Sequence, residues 1–246
     1  MASPTYIQNA DVIFRHTLDR RWLASEIVSV NLAADFLASL TTSEGIVKGG
    51  GYYVERPPRL ESDGVTHSHA VDAFRRVAAL NRLLDDRKSA TRYEHLAQRI
   101  QHAFVTRFWV KDHFAEYRHP AHGLIASHGL TDSDGSALAM GVATHWQQAA
   151  RWPRLKDEKR FYYGRMPTGI STEPATYEAW EFNYRGELDF MHQSLAQVES
   201  RNVKVEDGWI YFVHGWTQVV AQVLHFDLTP ALFDKLNEAA SSVRGK

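Results

Sequence analysis

The chain has 246 residues, 44% of them hydrophobic and 23% charged, which is ample for a real core and ordinary for a globular protein rather than a disordered one. Lysine plus arginine total 28 against 29 for aspartate plus glutamate, so bulk charge offers no ground for a nucleic-acid or anionic-membrane partner. Cysteine is absent, which excludes disulfides, zinc–thiolate sites, iron–sulfur clusters and cysteine nucleophiles.

The N-terminal "MASPTYIQNADVIF" has no basic region followed by an apolar run, so a secretory signal is not expected there. From about Ala10 to Leu40, Phe14, Leu18, Trp22, Ile27, Val30, Ala34 and Leu37 recur at helical spacing, with a break predicted near Ser25. "TTSEGIVKGGGYYVERPP" then reads as a long loop, with room for a short hairpin around Tyr52 and Tyr53. Ala70, Val71, Phe74, Val77, Ala78 and Leu84 form the stripe of a helix from about Thr66 to Leu84. A second stripe through Tyr93, Leu96, Ala97, Ile100, Phe104 and Phe108 follows the short link "DDRKSAT". Two helices so closely joined should pack antiparallel as an αα-hairpin.

Residues 111 to 135 are polar, rich in turn formers and carry four histidines, and read as a long connection. A helix of small residues is predicted from about Ser133 to Ala150, and "WPRLKDEKRFYYGRMPTGISTEP" as a second long loop. Further helices are expected near 175–200, 208–226 and 229–243, the last with Thr229 as N-cap and Pro230 at its first position. Even the most apolar stretch, "WIYFVHGWTQVVAQVLHF", is interrupted by His214, Gln218 and Gln222, so no membrane helix is expected. With no strand–helix–strand alternation and no glycine-rich loop after a strand, a nucleotide-binding reading has no support. The expectation is a single all-α domain over residues 1–246, soluble and cytoplasmic, made of antiparallel helical hairpins and long loops.

Three helix entrances carry more polar groups than capping needs. In "SDGVTHSHAVDAFRR" a helix puts His67 and His69 about 200° apart, so they share a metal only if that turn is extended. His69 and Asp72, three apart, face the same way. Asp63, Thr66 or Ser68 is a sufficient N-cap, and the competing reading is an entrance that faces a ligand. In "HGLTDSDGSALAMG" one of Asp132 and Asp134 suffices to cap a helix, whereas paired carboxylates in a cleft divide acid and base work. In "MPTGISTEPATYEAWEF" Glu173, Glu178 and Glu181 stand among Tyr177, Trp180 and Phe182. That is the composition of a saccharide subsite, and equally of an amphipathic helix with an acidic solvent face. Calcium lacks the remaining oxygen ligands of a binding loop. No histidine has zinc-site spacing, and no G-x-S-x-G marks a serine nucleophile, so neither metal nor cofactor is expected.

The runs "DFLASLTTSEGIVKGGGYYVERPPRLESDGVTHSHAVDAFRRVAALNRLLDD", "YEHLAQRIQHAFVTRFW", "HGLTDSDGSALAMGVAT" and "RFYYGRMPTGISTEPATYEAWEF" resemble, in that order, bacterial six-hairpin glycosidase-type proteins over about residues 35 to 182. The resemblance implies an (α/α)6 toroid, here incomplete or shortened, whose loops build a saccharide cleft at one end. It implies carboxylate acid–base catalysis by Asp132 and Asp134, with Glu173 as the alternative. Substrate contacts would come from Asp63, His67, His69, Tyr52, Tyr53, His128, Tyr177 and Trp180. The resemblance stops after Phe182, and a shortened array has the option of completing its core as a homodimer. Besides glycoside hydrolysis, two readings stay open: a sugar epimerase or isomerase using the loop histidines, and a non-catalytic helical protein that binds a small ligand or serves in an assembly.

Overall fold

The computed structural model describes residues 2–49, 61–119, 121–125 and 132–165. The expected hairpin at Tyr52 and Tyr53, and the three helices expected beyond residue 174, lie outside them. The described residues divide between two compact units, one of residues 1–129 with 142–144, the other of residues 130–141 with those from 145 onward.

The first unit is built on four helices: α1 (Ala2–Thr17), α2 (Arg20–Ser39), α3 (Gly64–Leu83) and α4 (Arg87–Arg107). Where one broken helix is predicted near Ser25, two helices meet at Leu18 and Asp19. Leu18 takes a positive φ of 52°, and the Asp19 carboxylate accepts the Arg21 and Trp22 amides, a sharper stop and start than any propensity at Ser25. The αα-hairpin is present as α3 and α4, joined through Leu84, Asp85 and Asp86, with Asp86 capping α4 by accepting the Ser89 amide at 3.0 Å.

α3 is the central element. Every residue from Gly64 to Phe74 is buried, on all sides of the helix, as expected of a helix surrounded by others rather than lying on a surface. Around it pack Ile7, Ala10 and Phe14 of α1, Leu23, Val30, Ala34 and Leu37 of α2, and Tyr93, Leu96, Ile100 and Phe104 of α4. Truncating any one of the large side chains here should cost about 2 to 5 kcal/mol. The turn after α2 is closed by Gly45, whose φ is +84° and where a Cβ would stand 2.5 Å from the Arg99 carbonyl oxygen.

Two short sheets are built largely from the stretch 111–135 read as a long connection. β1 (Ser62–Asp63), β4 (Tyr117–His119) and β5 (Gly123–Ile125) form an antiparallel sheet in the order β1-β4-β5. β2 (Trp109–Val110) pairs with β3 (His113–Phe114). Strands of two or three residues are too short to show alternation, so sequence periodicity passes over them. The first sheet fixes the start of α3, because the Gly64 amide donates to the Glu116 carbonyl and the Glu116 amide to that of Ile125.

In the second unit, α5 (Asp132–Ala139) and α6 (His145–Arg165) replace the single helix predicted from Ser133 to Ala150. Gly141, with a φ of 59°, ends the first segment. α6 then runs on through "WPRLKDEKR", expected as the start of the second long loop, and Pro153 lies inside the helix. No helix among the described residues is long and apolar enough to cross a membrane.

Candidate functional site

The α3 entrance shows how its surplus polar groups are used. Asp63 is extended (φ −133°, ψ 155°) and caps the helix. One carboxylate oxygen accepts the Thr66 amide and the other the Thr66 hydroxyl, both at 2.7 Å. His67 lies one turn on. Its Nδ1–H donates to the Asp63 carbonyl at 2.7 Å, and its Nε2 accepts the Val47 amide at 3.1 Å. The ring sits against Phe108 and Phe104, with centroids 4.7 and 5.8 Å away. Burial, opposed in part by the bond to the Asp63 carbonyl, lowers its pKa from 6.5 to about 4. The tautomer follows from the partners: an Nε2 that accepts a backbone N–H is unprotonated, so the proton is on Nδ1.

His69 faces away from His67, as helical spacing requires. Its Nδ1 meets Gln8 Oε1 at 3.2 Å, while Gln8 Nε2 donates to Asp72 at 2.7 Å. The amide therefore presents its oxygen to the imidazole, whose Nδ1 is the donor. Asp72 also accepts Arg76 Nε at 2.6 Å, and Arg76 Nη1 reaches Asp11 at 2.5 Å. Arg15 Nε meets the same Asp11 oxygen at 2.6 Å. Two carboxylates and two guanidiniums thus balance in the contact between α1 and α3. Burial raises the Asp72 pKa, but Arg76 and Gln8 outweigh it, and the net shift is downward. Burial works against the Arg76 charge, and Asp72 and Asp11 overcome it to raise its pKa.

Sequence reading placed His69 and Asp72 on one face but missed Gln8, Asp11, Arg15 and Arg76. The signal was present in Gln8, Asp11 and Arg15 at helical spacing on α1, a polar seam opposite the pair Asp72 and Arg76. For Asp63 and His67 the geometry gives a role inside the fold. Both carboxylate oxygens and both ring nitrogens are engaged with this chain's own groups, so the saccharide contact expected of them has no support here.

In the second unit Asp132 is the first residue of α5, where an acid is favoured by the positive end of the helix. Asp134 is buried and accepts Arg151 Nε of α6 at 2.8 Å, the two side chains being 2% and 6% exposed. Tyr52, Tyr53, His128, Glu173, Tyr177 and Trp180 lie outside the described residues. The structure therefore joins Asp63 to His67, His69 to Asp72, and Asp134 to Arg151. No group of three or more metal-ligating side chains occurs among the described residues.

No protein-family model and no curated protein matches the chain. Among solved structures it is similar to a GH78 family rhamnosidase of Bacillus sp. GL1, with a TM-score of 0.65 and 13% identity. The match covers 80% of this chain and 21% of the rhamnosidase chain, so the protein spans about a fifth of the length of that neighbour. At this identity the likeness establishes the fold, an all-α arrangement of the kind found in a helical glycosidase.

Proposed function

We propose that the chain is a carbohydrate-active protein of glycosidase type, acting through carboxylates at the entrance to α5. The observation that carries this reading is the fold likeness to a rhamnosidase over 80% of the chain. Two carboxylic groups flanking a glycosidic bond are the minimum for its hydrolysis: one protonates the leaving oxygen, the other activates water or attacks the sugar. Asp134, paired with Arg151, is suited to the charged role, because a guanidinium partner favours carboxylate over carboxylic acid. Asp132 or Glu173 then supplies the acid. A second reading has its own support: a carboxylate already satisfied by a buried arginine is also a structural tie between α5 and α6, which leaves a sugar-binding protein without hydrolysis.

The test is a panel of aryl glycosides that includes the α-rhamnoside, with Asp132→Asn and Glu173→Gln as variants. Hydrolysis requires measurable turnover in the parent and a loss of about a hundredfold or more in one variant, with an unchanged thermal midpoint. Turnover indifferent to both substitutions would remove the site assignment. No turnover on any glycoside, together with saturable calorimetric binding of rhamnose or a related sugar, would select the binding reading. Asp134→Asn is the poorer probe, since breaking a buried pair costs about 3 to 5 kcal/mol of stability by itself.

A further inference from the structure

The solvent faces of α2 and α4 together form a two-part surface that the proposed chemistry does not use. On α2, Val28, Leu32 and Phe36 are 64, 65 and 59% exposed. Spaced four apart, they make one apolar stripe on the side of the helix opposite buried Leu23, Val30, Ala34 and Leu37. The core already has what it needs from this helix, so a second apolar face marks contact with something else.

On α4, Lys88, Arg92, His95, Arg99 and His102 recur every three or four residues, and all are exposed. No aspartate or glutamate interrupts that stripe, although the chain as a whole carries a formal charge of only −1. Lys88 and Arg99 have no ion-pair partner among the described residues. An open groove of about 690 Å³ lies against the α4 stripe, lined by Arg92, His95, Leu96 and Arg99 of α4 and by Ala38 of α2. Asp35 joins the two helices beside it, accepting Arg92 at 2.8 Å and the Tyr93 hydroxyl at 2.9 Å.

We propose that this face docks an acidic amphipathic helix of a partner protein. The apolar side of that helix covers Val28, Leu32 and Phe36, and its carboxylates meet the α4 stripe. Charge complementarity selects the occupant: Arg92 is already answered by Asp35, and Lys88 and Arg99 are left for the acids of a partner. Dimensions agree: residues 28 to 36 span about 12 Å and residues 88 to 102 about 21 Å, so a helix of about 14 residues follows the groove. An anionic bilayer is a worse fit, because it is flat where this surface is grooved.

The experiment uses the full chain and a displayed library of 18-residue helical peptides, with the double variant L32S/R99E as counter-selection. Both positions are exposed, and circular dichroism checks that the variants fold. The expected result is enrichment of peptides with apolar residues four apart and flanking Glu or Asp. Synthetic versions should lose roughly tenfold in affinity for either Leu32→Ser or Arg99→Glu, and should weaken as salt is raised. The proposal is overturned if no peptide is enriched, if the enriched peptides lack acids, or if they bind the variants as tightly as the parent. Binding to phosphatidylserine-containing vesicles in preference to every peptide overturns it in favour of a lipid surface.

Discussion

His67 holds two parts of the first unit together with one ring, reaching back to Asp63 and across to the loop amide of Val47. Burial works against the imidazolium, so the folded pKa falls from 6.5 to about 4 despite the bond to the Asp63 carbonyl, and a proton on Nε2 would also face the Val47 N–H. The unfolded chain therefore takes up this proton first. Stability is unaffected by His67 above about pH 6.5, is lost as pH falls toward 4, and levels off below. The difference of 6.5 and about 4 corresponds to about 3 kcal/mol. Urea unfolding at pH 7.0 and 4.5 should show that loss in the parent. His67→Leu, with nothing to titrate, should begin less stable by about 1 to 3 kcal/mol for each bond it abandons and should lack this part of the pH slope. Equal pH slopes in the two proteins would mean that other groups carry the acid response.

At the scale of elements, α1 and α3 are joined by charge as well as by apolar packing. Arg76 bridges Asp72 and Asp11, which are 13% and 0% exposed as side chains. Arg76→Met should cost about 3 to 5 kcal/mol, because it removes the cation that two buried carboxylates share and leaves Asp11 to Arg15 and Asp72 to Gln8. Replacing Asp11, Arg15, Asp72 and Arg76 together by apolar residues of similar volume should cost much less, as measured by chemical denaturation. If the fourfold replacement is as damaging as Arg76→Met, the network stabilises the fold directly. The hairpin of α3 and α4 was legible from spacing alone, and so was the opposition of His67 and His69. Where helices stop was less so: the break at Leu18 depends on a positive φ that leucine does not advertise, and α6 continues past Pro153 against propensity. The partners Val47 and Gln8 were invisible for a different reason. They lie 20 and 61 residues from the histidines they meet, and no periodicity encodes such pairs.

At the scale of the whole molecule, the all-α class could be anticipated from hairpin periodicity, since it depends on a pattern that recurs along the chain. The candidate site was legible only as residue types at helix entrances. Of those entrances, the one at α3 proves to be packed into the fold, and the one at α5 retains a buried carboxylate with its arginine. Two compact units also imply two bodies of internal contacts, and this governs where damage spreads. Phe74 is fully buried at the centre of the first unit and stacks on Tyr93 of α4, with centroids 6.0 Å apart. Phe74→Ala leaves a cavity among α1, α2, α3 and α4 and should cost about 3 to 5 kcal/mol. If the first unit opens cooperatively, hydrogen exchange should accelerate together in peptides from all four helices, by a factor matching that loss. Peptides covering residues 145–155 of α6, whose contacts belong to the second unit, should keep their parent rates. Faster exchange in α6 to the same extent would show that the chain unfolds as one body, and the boundary near residues 129 and 145 would then be geometric without being energetic.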